Sequence, residues 1–192
     1  MSDPTSTVFV VDDDPSIRES LSLLLSSAGY SVNTFASAKE FLESEHSTLG
    51  PACLVLDVKM PGLSGLDLQK ELTSMNYTIP VIFITGHGDI PMSVQAMKKG
   101  AIDFLSKPFD DDELLDAVKV ALLKNSQARV NLNEKKHIMQ RLGSLTAREH
   151  EILTYLITGM LNKQIAYELK ISERTVKAHR KQVFDKMGVN SI

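Results

Sequence analysis

Four short stretches carry side chains that could do chemistry together: Asp12 and Asp13 in VVDDD, Asp57 in LVLDVKMPG, Thr85 in VIFITG and Lys107 in LSKPF. Each stands at or just beyond the end of an apolar run. A carboxylate that closes a buried run is costly unless a cation meets it. Two carboxylates ~4 Å apart repel by roughly 4 kcal/mol at an effective dielectric of 20, and three repel more. An oxygen-ligated divalent ion, Mg²⁺ or Mn²⁺, relieves that repulsion, and Mg²⁺ suits a site of few protein ligands, waters and a phosphate. Lys107 adds a fixed positive charge. A carboxylate among such cations can attack phosphorus and form an acyl phosphate, with the metal, Lys107 and the Thr85 hydroxyl meeting the phosphoryl oxygens. Asp12 and Asp13 sit together and read as a metal pair, which leaves Asp57 as the nucleophile. Each stretch alone has a plainer reading: Asp12–Asp14 as a helix-capping run leading into Pro15, Lys107-Pro108 as a turn, Thr85 as a strand former. Their recurrence at strand ends favours the chemical reading.

The elements that must position these groups follow from the pattern. Short β-branched runs at Thr7–Val11, Ser31–Phe35, Cys53–Leu56, Val81–Thr85 and Asp103–Leu105 read as strands. Helical spacing predicts helices over Arg18–Ser27, Ala38–Glu45, Gly65–Ser74, Met92–Lys99 and Asp111–Asn125. Strict alternation predicts a doubly wound α/β fold with a five-stranded parallel sheet, whose sites lie beyond the carboxyl ends of the strands. From Asp111 to about Leu142 there is neither Pro nor Gly, which predicts one long helix or two nearly continuous ones. Past Gly143 the chain reads as helical. Ser144 or Thr146 caps the first helix, with Glu149 completing a capping box; Gly159 ends it; Asn162 opens the second; Ser172 caps a third that runs to about Met187. The expected domains are therefore 1–124, a helical linker at 125–143, and a small all-α domain at 144–192.

Charge divides at the same place. Residues 1–124 carry 9 basic and 18 acidic groups, and residues 125–192 carry 12 basic and 6 acidic. An acidic module joined to a basic one suggests that the second meets nucleic acid. On the third helix of the basic module, Arg174, Lys177, Ala178, His179, Arg180 and Lys181 are expected to face outward. Ile165, Ala166, Leu169, Ile171, Val176 and Val183 form the seam behind them, the pattern of a helix-turn-helix. The plainer reading is a solvated basic helix, or one that binds an acidic protein or a membrane. One cysteine, Cys53, excludes an intrachain disulfide and reads as a small buried hydrophobe. No secretory leader and no membrane-length apolar run is apparent, so the expected location is the cytoplasm. Motifs for zincins, dinucleotide binding and a P-loop are missing: His150-Glu151 lacks the second histidine, and Gly86-x-Gly88 is followed by Pro91 at the third glycine position. His87, in the loop after the fourth strand, has no assigned role.

VFVVDDDPSIRESL, LVLDVKMPGLSGLDL and PVIFITGHGDIPMSVQAMKKGAIDFLSKPF, in that order and spacing, resemble the receiver domain of two-component response regulators over about residues 6–124. The resemblance implies a flavodoxin-like fold and a phosphoryl group accepted on Asp57 from a sensor histidine kinase. It further implies Mg²⁺ held by Asp13, Asp57 and the backbone carbonyl of Lys59, with Asp12 acting mainly through water. Thr85 and Phe104 match the family's switch pair; Phe104 stands where tyrosine is frequent, so no hydroxyl is available there. LTAREHEILTYLITGMLNKQIAYELKISERTVKAHRKQVFDKMGV resembles the LuxR/NarL-type DNA-binding domain over about residues 144–190. That resemblance implies Lys177, Ala178 and Lys181 near bases and Lys163, Thr175 and Arg180 at the DNA backbone. Together the two modules resemble a response regulator of the FixJ/NarL type. Its implied partners are a sensor histidine kinase and promoter DNA, with homodimer formation on phosphorylation and contact with RNA polymerase also compatible. Self-phosphorylation and slow autodephosphorylation would be its only enzymatic acts. The family's last helix would begin where this sequence stops, at Ile192, and is expected to be missing from it. Two rival readings remain: a metal-dependent phosphohydrolase, which wants an acid where Lys59 stands, and a phosphorylated protein-interaction module.

Overall fold

The computed structural model describes residues 6–46, 48, 50–86 and 90–190, with the backbone alone for 90–92 and 95. Two compact units divide at Arg129 and Val130. The first is built on five parallel strands, β1 (Thr7–Val11), β2 (Ser31–Phe35), β3 (Ala52–Asp57), β4 (Val81–Thr85) and β5 (Asp103–Ser106), in the order β2-β1-β3-β4-β5. Helices α1 (Pro15–Ser27), α2 (Ala38–Glu43), α3 (Gly65–Ser74) and α4 (Ile90–Lys98) connect them, and α5 (Asp111–Gly143) follows as one 33-residue helix.

β1, β3 and β4 are buried along their whole length, as parallel strands covered on both faces must be. Successive side chains alternate between two cores. Phe9, Val11, Leu54, Leu56, Val81 and Phe83 pack with Ala38, Phe41, Leu68, Leu72 and Ala96 from α2, α3 and α4. Val8, Val10, Cys53, Val55, Ile82, Ile84 and Leu105 pack with Leu21 and Leu25 of α1 and Leu114, Val118 and Leu122 of α5. Cys53 is fully buried, and burial pushes its thiol up to about 12. β2 lies at the sheet edge, which is why Ser31, Asn33 and Thr34 remain exposed.

The strands lie within one residue of their predicted ends. α1 begins three residues earlier than its apolar spacing suggests. Asp14 caps it by accepting from Ser16 N at 2.8 Å, and Pro15, with its φ preset, takes the first helical position. α2 stops at Glu43, where Ser44 leaves the helical conformation. Near the amino ends of β3 and β4, Asn125 of α5 is buried; its Oδ1 accepts from Ala52 N at 3.0 Å, and its Nδ2 donates to Thr78 O at 3.5 Å. Arg129 Nη2 donates to Thr48 O at 2.9 Å. These bonds explain why the first unit extends to Arg129.

The second unit contains α6 (Ala147–Ile157), α7 (Asn162–Glu168) and α8 (Glu173–Met187). Thr146 caps α6, and Glu149 returns the bond to Thr146 N at 2.7 Å, the predicted capping box. Ile152, Leu156, Ile165 and Val176 form its core, with Ala166, Leu169, Ile171 and Phe184 packed against it. Val183 is buried as predicted. Gly188 ends α8 in the left-handed conformation, φ 66°, which glycine adopts without penalty. Among the described residues no helix is long and apolar enough to cross a membrane.

Candidate functional site

β1 pairs with β2 on one side and with β3 on the other, so the connections leave it in opposite directions. The crevice at that switch point lies beyond the carboxyl ends of β1 and β3. Asp12 follows β1 directly, and Asp57 is the last residue of β3. Both are buried, at 1% and 5% exposure. Lys107 follows β5 and is aimed back across β4 by its own backbone, whose N–H donates to Thr85 O at 2.7 Å. Its ammonium reaches Asp12 Oδ2 at 2.6 Å and Asp57 Oδ1 at 2.9 Å. Asp57 and Asp12, 50 and 95 positions before Lys107 in sequence, thus share its one cation.

The remaining carboxylate oxygens are satisfied locally. Asp12 Oδ1 accepts from Asp14 N at 2.9 Å, and Asp57 Oδ2 accepts from Lys59 N at 2.7 Å. Burial drives the Asp57 carboxyl above the usual aspartate range; the hydrogen bond and charge of Lys107 oppose this, and Asp12 adds to it. Burial also works against the Lys107 ammonium, but its bonds to Asp12 and Asp57 prevail and hold it above the ordinary lysine range. Thr85 is buried at 1% exposure beside this group, in register with Ser106. Phe104 is half-buried, its ring 6.3 Å from that of Phe83.

The carboxylates expected as a metal pair differ in setting. Asp12 is buried and bonded to Lys107, whereas Asp13 is exposed. The chain turns into the α1 cap here, so only one of the two side chains points under the sheet edge. Among the described residues no three His, Cys, Asp or Glu side chains gather closely enough to form a metal site. The chemistry of the donors nevertheless fits a hard divalent ion. Asp12, Asp13, Asp57 and the Lys59 carbonyl offer only oxygen, and one ammonium leaves two buried carboxylates with a net negative charge.

Two supporting residues lack a sequence signal of their own. A side chain on Gly65 would collide with the Asp57 carbonyl oxygen, so the start of α3 can approach β3 only with glycine there. Arg18 Nη1 donates to Asp12 O at 2.7 Å and fixes the loop after β1. By its sequence, Gly65 within MPGLSG marks only the start of a helix, and Arg18 only a helical position. His87 and Gly88 lie outside the described residues.

In the second unit, Lys163, Arg174, Lys177, Ala178 and Lys181 are exposed. Lys177 Nζ lies 3.4 Å from Glu173 on its own helix. Thr175 is half-buried, and its N–H donates to the capping Ser172 Oγ at 3.0 Å. His179 corrects the expectation of an outward side chain. It follows Val176 by three positions and precedes Val183 by four, both fully buried, so it turns toward the core, half-buried, with Nδ1 inaccessible and unpartnered. Arg180 is also half-buried. Its Nη1 donates to Asn162 Oδ1 at 3.1 Å, and its guanidinium lies 5.0 Å from the centre of the Phe184 ring.

Comparison with known proteins places both units. Residues 8–119 match the response regulator receiver domain, and residues 143–192 match the LuxR family of bacterial regulatory proteins. The chain is 48% identical over 193 residues to response regulator protein TodT of Pseudomonas putida, spanning 100% of this chain and 84% of that one. It is 50% identical over 185 residues to nodulation protein W of Bradyrhizobium diazoefficiens, spanning 96% and 81%. The solved structure of the response regulator StyR superimposes with a TM-score of 0.89 at 50% identity, over 97% of this chain and 94% of that one. The chain therefore belongs to the response regulators, transcription regulators that join a receiver domain to a LuxR-type DNA-binding domain.

Proposed function

We propose that Asp57 accepts a phosphoryl group from the phosphohistidine of a sensor histidine kinase and that this changes how residues 144–192 engage promoter DNA. The observation that carries the reading is the Lys107 ammonium bridging Asp12 and Asp57 at 2.6 and 2.9 Å. An Asp57 carboxylate oxygen forms the new P–O bond as the P–N bond to the kinase imidazole breaks, and the released nitrogen takes up a proton. Burial of Asp57 raises its basicity and keeps water from competing. Lys107 stays charged and meets the incoming phosphoryl oxygens. Asp12, Asp13, Asp57 and the Lys59 carbonyl would hold Mg²⁺ or Mn²⁺, which supplies further positive charge to the transferring group. In this reading residues 1–124 form the receiver, 125–143 the helical linker and 144–192 the DNA-binding domain, in a protein of the cytoplasm.

The Thr85 side chain sits at the end of β4 and Phe104 on neighbouring β5, so a phosphoryl group drawing on the Thr85 hydroxyl bears directly on the space the Phe104 ring can fill. Moving a two-state receiver from 1:99 to 99:1 takes about 5.5 kcal/mol of differential stabilisation. The altered receiver face then supports homodimer formation, and Lys163, Arg174, Thr175, Lys177, Ala178, Arg180 and Lys181 form the DNA-facing region, in reach of RNA polymerase at a promoter. Incubation with a small acyl-phosphate donor and Mg²⁺, followed by intact-mass measurement, tests the first step. One phosphoryl adduct is expected; an adduct that persists in Asp57→Asn refutes the assignment, and turnover of phosphate esters would favour a hydrolase.

A further inference from the structure

Each basic side chain of the second unit with a short contact to another helix raises the question of what balances its charge. Lys186 of α8 meets Glu149 of α6 at 2.6 Å, so that interhelical tie is neutral. Arg180 of α8 is different. It crosses to α7 through Asn162 Oδ1, an uncharged acceptor at the first position of that helix, and it rests on Phe184, an uncharged ring. Among the described residues no carboxylate lies within ion-pair distance of its guanidinium. The group is therefore held in plane by one hydrogen bond and on its face by an aromatic ring, with its full positive charge left over.

A carboxylate at position 162 would fit the same geometry and cancel the charge, yet the sequence keeps an uncharged amide there. The arrangement suits a cation that must be in place before an anion arrives. One of the five N–H donors is spent on Asn162, and the others stay in the rigid plane of the guanidinium. On α8, Arg180 lies three positions from Lys177 and one from Lys181, both exposed, so it borders the basic surface of the helix.

We propose that Asn162 is a positioning residue for DNA binding: together with Phe184 it presets the Arg180 guanidinium against a DNA backbone phosphate. The inference rests on the reading of this unit as the DNA-binding domain and adds a residue on the first helix of the motif that touches no DNA itself. Fixing one rotamer-rich side chain in advance is worth about a three- to tenfold gain in affinity. The phosphate contact contributes about 0.9 to the slope of log K against log salt.

The full chain, treated with an acyl-phosphate donor and Mg²⁺, is titrated with a 30-base-pair duplex of random sequence at several salt concentrations. Arg180→Ala is expected to lower the salt slope by about 0.9. Asn162→Ala is expected to weaken binding about three- to tenfold with the slope nearly kept, since the charge remains but is no longer held. In the Arg180→Ala background Asn162→Ala is expected to have no further effect. Arg180→Lys keeps the charge without the planar fork, so it should bind like Asn162→Ala and be insensitive to adding it; this variant serves if the alanine variant unfolds. Equal losses from Asn162→Ala with and without Arg180, or an unchanged slope in Arg180→Ala, overturn the inference while DNA binding stands. A wild-type chain without salt-dependent binding overturns both readings.

Discussion

Replacing Lys107 by Met removes one charge and keeps most of the side-chain volume, so its effect isolates the ammonium. In the wild type that ammonium lies 2.6 Å from Asp12 and 2.9 Å from Asp57. Each contact is worth about 6 kcal/mol of Coulomb energy at an effective dielectric of 20 before desolvation is deducted. The variant does not lose that gross sum, because it has an escape: one of the two carboxyls can take up a proton. Neutralising an aspartate of ordinary pKa costs about 1.4 kcal/mol per pH unit above ~3.9, hence about 4 kcal/mol at pH 7 and about 1.5 kcal/mol at pH 5. The penalty is bounded accordingly and agrees with the roughly 3–5 kcal/mol typical of a broken buried pair. Burial already raises Asp57 in the presence of Lys107, and without it only the raising influences of burial and Asp12 remain, besides the Lys59 N–H bond. The folded variant then binds a proton that the unfolded chain releases, so its stability falls as pH rises above the unfolded value. Denaturant unfolding of wild type and Lys107→Met from pH 5 to 7 should show a gap that widens with pH to about 4 kcal/mol. Mg²⁺ should narrow it, since a second cation relieves the same repulsion. A gap below about 1 kcal/mol at pH 7, or one that is flat with pH, would refute the view that Lys107 is the charge balance of this site.

Three further outcomes follow from single contacts. Gly65→Ala forces the start of α3 away from the Asp57 carbonyl and should cost about 1–3 kcal/mol and slow acyl-phosphate uptake, read by denaturant unfolding and by intact mass over time. Asn125→Ala leaves Ala52 N–H at the start of buried β3 without its acceptor and should destabilise the receiver by about 1–3 kcal/mol, with faster hydrogen exchange at Ala52. The Lys186 hydrogen bond, then the Thr146 backbone bond, hold Glu149 below the usual glutamate range, so its contribution is present above the unfolded pKa and lost as pH falls through the folded one. Glu149→Gln should lower the melting temperature of the second unit at pH 7 and erase that acid-side loss, while a variant that melts like the wild type at every pH would contradict it.

The sheet was legible because parallel strands covered on both sides must read as apolar runs, and the runs ending at Val11, Asp57 and Thr85 do so, whereas β5, DFLS at the sheet edge, is only partly buried. The convergence of Asp12, Asp57 and Lys107 followed from their standing at the carboxyl ends of strands in one parallel sheet. Which of Asp12 and Asp13 turns inward did not follow, since it depends on how the chain leaves β1 to enter the Asp14 cap. Nor did the role of Asn125, whose bond to Ala52 spans 73 positions and leaves no periodic trace. His179 shows the same limit within one helix: hydropathy placed it outward, but Val176 and Val183 fix the buried face and carry it along.

The two units treat charge in opposite ways, and the contrast bears on how a phosphoryl signal is read. Around Asp57, one ammonium serves two buried carboxylates, so the group is already one positive charge short. Phosphorylation replaces the single charge of the Asp57 carboxylate with the roughly two negative charges of the phosphoryl group, about one more in the same space. Lys107 alone cannot meet them, so phosphorylation of Asp57 is stable only with a further cation or with movement of a nearby donor such as the Thr85 hydroxyl. Around Arg180 the imbalance is reversed: a held guanidinium has no carboxylate among the described residues. Each imbalance is tolerable because the group is fixed by hydrogen bonds that do not cancel its charge, Lys59 N–H at Asp57 and Asn162 Oδ1 at Arg180. A group left in that condition is stabilised by whatever supplies the missing charge, which in the proposed roles would be a cation at one site and the phosphate backbone of DNA at the other.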